Sequence, residues 1–334
     1  MHVPLPSPWS PVLIPNPMRT RLTDLLKIEK PIIQGGLAHL AFAGLAAAVC
    51  EAGGLGQITA ASMPDGQALR REIRLMRTLT ARPFAVNFAI GHRPLEELLD
   101  ITLDEGVPII SITGGNPEPL IKRADASGVK VRKLVLVAGT RQAQKAEALG
   151  ADAVIAVGFE GGGHIGRDDI GTMVLVPRVV DSVRIPVVAS GGIGDGRGLA
   201  AALVMGAQGI EMGTRFVATQ ECIAHAAYKQ AIVNGKETDT ILIERSLGRP
   251  GRALRSAFTE AIVRAEGEGR PIEEILPLVS GEANRRAAIE GDLEHGFVWA
   301  GQVMGLINDV PTVKELLERI VVDAERVLRA TGNM

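Results

Sequence analysis

From Pro31 onward, short apolar or β-branched runs alternate with segments whose apolar residues recur at helical spacing. The runs at 31–35, 55–60, 83–89, 107–112, 130–137, 152–158, 186–190 and 207–212 have strand length. Between them lie Ala/Leu/Glu/Arg-rich segments such as 41–52, 65–80 and 141–149. Val154 to Val157 and Val187 to Ala189 are apolar without alternation, as in strands covered on both faces. Eight such strands predict an α/β fold of the (β/α)8 TIM barrel type. After Phe216 the texture changes. Residues 217–305 are poor in strand-like runs and predict helices at 224–233, 252–265 and 282–289, broken at Gly248-Arg-Pro-Gly251 and at Gly291. Residues 311–330 then place Val313, Leu316, Leu317, Ile320 and Val321 on one face of an amphipathic helix, behind a Pro-Thr start. The expected organisation is an extended arm over 1–18, a barrel over 19–216 plus 306–334 closed by that last helix, and a small helical domain over 217–305 covering the barrel mouth.

Composition narrows the partners. The chain has 334 residues, 46% hydrophobic and 22% charged, enough to bury a large core. A net charge of -2 gives no basic excess for nucleic acid or an anionic membrane surface. Residues 1–18 hold six prolines and no apolar run of the kind found in a signal peptide or membrane span. Two cysteines, Cys50 and Cys222, are too few for a disulfide framework and fit reduced thiols, so a cytoplasmic location is expected.

The chemistry concentrates where strands run into glycine. The strand from Ala151 ends in Gly-Phe-Glu-Gly-Gly-Gly-His164-Ile-Gly, setting one acid/base group where backbone can approach a planar ligand. The next two strands end in Ser190-Gly191-Gly192 and Gly213-Thr214, each beside a helix start, and offer free N–H groups to a phosphate. Gly161-Gly-Gly163-His-Ile-Gly166 also fits G-x-G-x-x-G. A dinucleotide fold would need an acidic residue at the end of the following strand, however, and that strand ends in Ser-Gly-Gly. His164 with Asp168 and Asp169 could suggest a metal site; the carboxylates read more simply as charges or caps at the start of the helix that follows, and no metal is expected. From the pattern alone, His164 could act as an acid/base group or cap a turn.

Pro31-Ile-Ile-Gln-Gly-Gly, Glu51-Ala-Gly-Gly-Leu-Gly, Val86-Asn87, Glu160-Gly-Gly-Gly-His164, the run from Ala189 through Asp195-Gly-Arg-Gly, and Met212-Gly-Thr-Arg-Phe stand in one order along the chain. Together they resemble the nitronate monooxygenase (2-nitropropane dioxygenase) family from about Met18 onward. NADH:quinone reductases and enoyl-ACP reductase II enzymes are similar as well. The resemblance implies an FMN-dependent TIM barrel with a small helical domain. It places Gln34, Gly35, Gly36, Leu37 and Asn87 along the flavin ring, Gly162 and Gly163 close to it, and Ser190, Gly191, Gly192, Gly213 and Thr214 at the phosphate. It makes His164 the catalytic histidine. Two positions depart from what relatives often carry: Val157 stands where a glutamine or acid is common, and Ala138-Gly139 where a hydroxyl residue is common, with Thr140 next in line.

The activity implied is oxidation of alkyl nitronates with dioxygen. A rival on the same fold takes NADH or NADPH as reductant for a quinone or an enoyl thioester, and a second rival binds flavin without turnover. A homodimer is an expected assembly. Low aromatic content predicts a mostly aliphatic pocket, with Phe159, Phe88 and Trp299 as exceptions. Arg215 is read as either a phosphate contact or a structural ion pair.

Overall fold

The computed structural model describes residues 18–91 and 93–332, so all of the arm but Met18, together with His92, lies outside the described residues. Eight parallel strands form the barrel: β1 (Ile32–Gln34), β2 (Gln57–Thr59), β3 (Ala85–Ala89), β4 (Ile109–Thr113), β5 (Arg132–Val137), β6 (Ala153–Val157), β8 (Val187–Ser190) and β9 (Gly209–Met212). Neighbours pair in the order β1-β9-β8-β6-β5-β4-β3-β2. A parallel bridge between Ile33 and Leu55 closes the ring, with Gln34 N donating to Leu55 O at 2.9 Å and Leu55 N to Ile32 O at 2.9 Å. The fold is a (β/α)8 TIM barrel. Each of the eight expected strands is present within its predicted range to within one residue at either end.

Two apolar layers hold it. Outward-facing residues such as Ile32, Ile58, Val86, Phe88, Ile110, Val154 and Ala189 pack under the surrounding helices. Ile33, Leu55, Ala85, Ile109, Leu134, Ala153, Ile155 and Val188 fill the interior. The helix Arg21–Leu26, closed at its start by a Thr20/Thr23 capping box, adds Leu22 and Leu26 to that interior cluster. Its cap Thr20 donates to Gln208 O at 2.7 Å, just before β9, so the helix plugs the N-terminal end of the barrel. The last helix, Val313–Gly332, packs against Gly196–Val204 and Ala43–Glu51 and completes the outer ring. A Cβ on Gly196 would lie 2.6 Å from Ile320 O, so the close approach of these two helices needs glycine there.

The insertion departs from the all-helical expectation. It contains helices Ala226–Asn234, Ala257–Gly267, Ile272–Ile275 and Gly281–Arg285, and also strands β10 (Thr240–Ile243) and β11 (Gly251–Leu254). Those two strands pair antiparallel with each other, and β11 pairs with β7 (Gly163–His164) in the loop after β6. The first turn of the helix expected from Arg252 is therefore strand, and the helix starts at Ala257 behind Ser256, whose side chain caps it. Ile243, Ala253, Ile262, Ile275, Val279 and Phe297 give this unit its own small core. Among the described residues no helix is long and apolar enough to cross a membrane.

Truncating the barrel plug tests this packing. Leu26→Ala should lower unfolding free energy by roughly 2–5 kcal/mol, read as a lower urea midpoint at unchanged slope. An unchanged midpoint would contradict the plug.

Candidate active site

Along the inner face of the barrel the residue type changes with height. Leu55 is followed two positions on by Gln57, Ala85 by Asn87, Ile109 by Ser111 and Val188 by Ser190. Strand period 2 keeps each pair on one face, so the interior passes from apolar to polar toward the C-terminal ends, where sites of this fold lie. Ser111 donates to Gln57 Oε1, and Asn87 Nδ2 donates to Ser111 Oγ at 2.9 Å. Asn87 Oδ1 and Thr59 Oγ1, neighbours in the β2/β3 register, are buried with no partner among the described residues. Buried polar atoms left unsatisfied are costly, and a ligand N–H would relieve them.

Gln34 is fully buried and ties the seam between β1 and β2. Its Oε1 accepts from Gln57 N at 3.1 Å and its Nε2 donates to Gln57 O at 3.2 Å. Its side chain is thus committed to the barrel wall, and the backbone of Gly35 and Gly36 carries the strand end into the mouth. Gly35 lies over Glu211, and a Cβ on Gly36 would overlap the Asn87 amide. Leu37 lies beside Gly213, its Cδ2 3.4 Å from where a Cβ there would be.

Two strands from β1, Gly191 and Gly192 adopt φ of 93° and 72°, open to glycine at little cost, so the loop after β8 begins without side chains. Gly162 packs against the insertion: its Cβ would come 2.6 Å from Gly301 N, which donates to Thr214 Oγ1 at 2.9 Å. Gly162, Thr214 and Gly301 therefore meet at one point, joining the loops after β6 and β9 to the insertion. Glycine backbone from the loops after β1, β6 and β8 thus forms a cradle at the polar end of the barrel.

His164 sits at the rim, its side chain 52% exposed, opposite Gly251 in the β7/β11 pairing. Its Nε2 lies 3.5 Å from Glu244 Oε2, and its ring meets Trp299 at 5.0 Å between centroids. Arg249 Nε lies 2.6 Å from the same Glu244 oxygen. Neither Glu244 nor Arg249 is visible to sequence reasoning. They lie some 80 residues beyond His164, and only the pairing of β7 with β11 brings them near.

A second residue missed from sequence is Glu211, inside the barrel beneath Gly35. Burial pushes its carboxyl up to about 7, against smaller opposing hydrogen bonds from Ser190 Oγ at 3.0 Å and from Gln57. Its signal was the acid in Gly209-Ile-Glu-Met, an odd residue for a strand otherwise fully buried.

Several expectations change. Asp168 and Asp169 do not cap the next helix. Glu160 does, accepting from Thr172 N at 2.9 Å and from Thr172 Oγ1, while Asp169 pairs with Arg245 at 2.8 Å. Among the described residues no group of three or more His, Cys, Asp and Glu side chains is placed to hold a metal. Phe88 faces the outer helices, away from the mouth, and Phe159 lies under the Arg252 guanidinium at 4.4 Å. Arg215 is buried and paired with Asp309 at 3.1 Å. Asp195 both caps the following helix and pairs with Arg197. Val157 is buried below the mouth, and Ala138 touches Gly166, with its N–H donating to Gln142.

A closed parallel barrel with a polar C-terminal mouth, a glycine cradle and a rim histidine defines a TIM-barrel enzyme. The nitronate monooxygenase family profile matches residues 19–98 and 91–323, and the chain belongs to that family. FabK from Thermotoga maritima is 41% identical with a TM-score of 0.88, covering 95% of this chain and 99% of its own. A nitroalkane oxidase from Streptomyces ansochromogenes is 31% identical with a TM-score of 0.78, covering 93% and 99%. A (3aS,4S,5R,7aS)-5-hydroxy-7a-methyl-1-oxo-octahydro-1H-indene-4-carboxyl-CoA dehydrogenase from Rhodococcus jostii is 32% identical over 94% of this chain and 98% of its own. All are oxidoreductases, this chain is an enzyme of the same kind, and the family is generally flavin-dependent.

The raised Glu211 carboxyl gives a pH test. Between its ordinary 4.5 and about 7, the folded chain holds a proton that the unfolded chain has released. The group's contribution is therefore fully present below pH 4.5 and is lost as pH rises through 7. The difference is roughly 3 kcal/mol. Glu211→Gln should flatten the fall in unfolding free energy between pH 5 and 8.5; urea titrations with the same slope in both proteins would contradict the assignment.

Proposed function

We propose that this chain is an FMN-dependent oxidoreductase whose substrate lies between the flavin and His164, and that it oxidises alkyl nitronates with dioxygen as electron acceptor. The observation that carries the reading is the cradle itself. Gly36 and Gly162 admit no side chain, Gly191 and Gly192 hold left-handed turns, and the unpartnered Asn87 Oδ1 lies against Gly36. These residues fit a planar ring with a hydrogen-bond donor at its edge and a phosphate at one end. In this reading Gly35, Gly36, Leu37 and Asn87 hold the ring, Gly162 and Gly163 lie against it, and Ser190 to Gly192 with Gly213 and Thr214 hold the phosphate. Gln34 acts through the strand seam that sets Gly35 and Gly36 in place.

When bound, FMN supplies the two-electron chemistry. The protein does the rest. His164, at the rim and half exposed, stabilises the charge of an anionic nitronate as imidazolium, or takes a proton from a nitroalkane carbon when neutral. Trp299 walls one side of its ring, and the insertion strands β10 and β11 fix its height above the mouth. A homodimer in the cytoplasm belongs to the same proposal, and its assembly is measured by sedimentation.

A second reading has a specific basis. FabK is the more identical of the two solved structures described, at 41% against 31%, and the Rhodococcus relative is named for a CoA thioester. On this reading NADH or NADPH is the reductant, an enoyl thioester or a quinone is the acceptor, and His164 donates the proton that follows the hydride.

The two separate in one anaerobic experiment on the purified protein loaded with FMN. Bleaching of the flavin band by propyl-2-nitronate, with no response to nicotinamide, is the expected result. Fast bleaching by NADH or NADPH moves the assignment to the reductase. His164→Ala should keep the flavin and lower kcat/KM by roughly 10²–10⁴-fold; full turnover in that variant removes His164 from the reaction.

A further inference from the structure

We propose that Glu244 is the positioning residue of His164: it holds the ring proton on Nε2 and so leaves Nδ1 as the nitrogen that meets substrate. The inference rests on the reading that His164 serves the substrate. Ile243, Gly251 and His164 stand in one row across the three-stranded sheet β10-β11-β7, so the residue after Ile243 arrives beside the histidine by strand register. That residue is Glu244, with a side chain only 2% exposed and Oε2 3.5 Å from His164 Nε2.

Two features set this carboxylate apart from a surface acid. Its backbone has φ of 64°, a conformation costly to a non-glycine residue that persists only where the surroundings enforce it. Here Glu244 N donates to Glu266 Oε2 at 3.1 Å and Arg249 N donates to Glu244 O at 3.2 Å. A buried carboxylate also needs partners. Oε2 is buried without a hydrogen bond among the described residues, with Arg249 Nε at 2.6 Å and His164 Nε2 at 3.5 Å at ion-pair distance, so a proton on Nε2 is a donor that can satisfy it. Arg249 and His164 thus face one carboxylate oxygen.

Which imidazole nitrogen carries the proton is set by the partner of the other. With Nε2 facing a carboxylate, neutral His164 holds its proton there. Nδ1, which has no partner among the described residues, keeps its lone pair. When His164 takes a proton from a substrate carbon, the C–H electron pair stays on carbon and the proton goes to Nδ1; Nε2–H remains in place and Glu244 is not protonated. In the reductive direction the same Nδ1–H is the donor. A purely structural Glu244 would only neutralise Arg249 and close the turn after β10.

The test uses full-length, FMN-loaded protein carrying ¹⁵N-labelled histidine rings, with the His164 signals assigned from His164→Ala. At pH 8.5 the wild type should show the Nε2–H tautomer with an unprotonated Nδ1. Glu244→Gln, whose amide can turn its NH₂ toward the ring, should raise the Nδ1–H share several-fold. It should also lower kcat by roughly 10–100-fold with KM nearly unchanged, and Glu244→Asp should recover part of both. Should Glu244→Gln fail to fold, the double variant Glu244→Gln/Arg249→Gln removes both charges together and carries the same tautomer readout. An unchanged tautomer ratio in whichever variant folds overturns the proposal. Full turnover in His164→Ala would instead defeat the functional reading and leave the tautomer result standing.

Discussion

The switch from apolar to polar residues along the inner face of a closed parallel barrel is the constraint on which the rest depends. Eight strands can close only if their interior is filled, and Leu22, Leu26, Ile33, Ile109, Ile155 and Val188 fill the lower part. Two residues further along, the same inward face presents Asn87, Ser111, Ser190 and Gln57. Strand periodicity makes that height the floor of the mouth, and the hydrogen bonds among these side chains fix its polar pattern. An acid placed there, Glu211, is forced toward neutrality because burial costs its charge more than two neutral partners return.

Above the floor the fold removes side chains. Glycine at 36 and 162 is dictated by contact with Asn87 and with the 300–301 backbone, and at 191 and 192 by left-handed φ. The rim histidine cannot be positioned by the barrel alone, since the loop after β6 is mostly glycine. Its two residues of strand, β7, are held by β11 of the insertion. The insertion is thus more than a cover, because it supplies the sheet that sets His164 and the carboxylate behind it.

Much of this was legible in the sequence. Continuous apolar strand runs gave the barrel and its eight strand positions, and the amphipathic spacing from Val313 gave the closing helix. The glycine clusters pointed to the mouth because glycine at a strand end has few other uses. The insertion strands were hidden. Gly251-Arg-Ala-Leu has neither the length nor the β-branched content of a free-standing strand, and it is a strand only because β7 and β10 pair with it. Glu244 was hidden for the same reason, its position depending on register across three separate segments. Gln34 shows the opposite case, a motif residue whose side chain is spent in the wall.

The most direct test is a crystal structure of the protein grown with FMN. Density for the ring against Gly36, Asn87 and Gly162, with the phosphate at Gly191–Gly192 and Gly213–Thr214 and His164 over the open face, would match the account. A flavin bound elsewhere, or a mouth that takes none at saturating FMN, would contradict it.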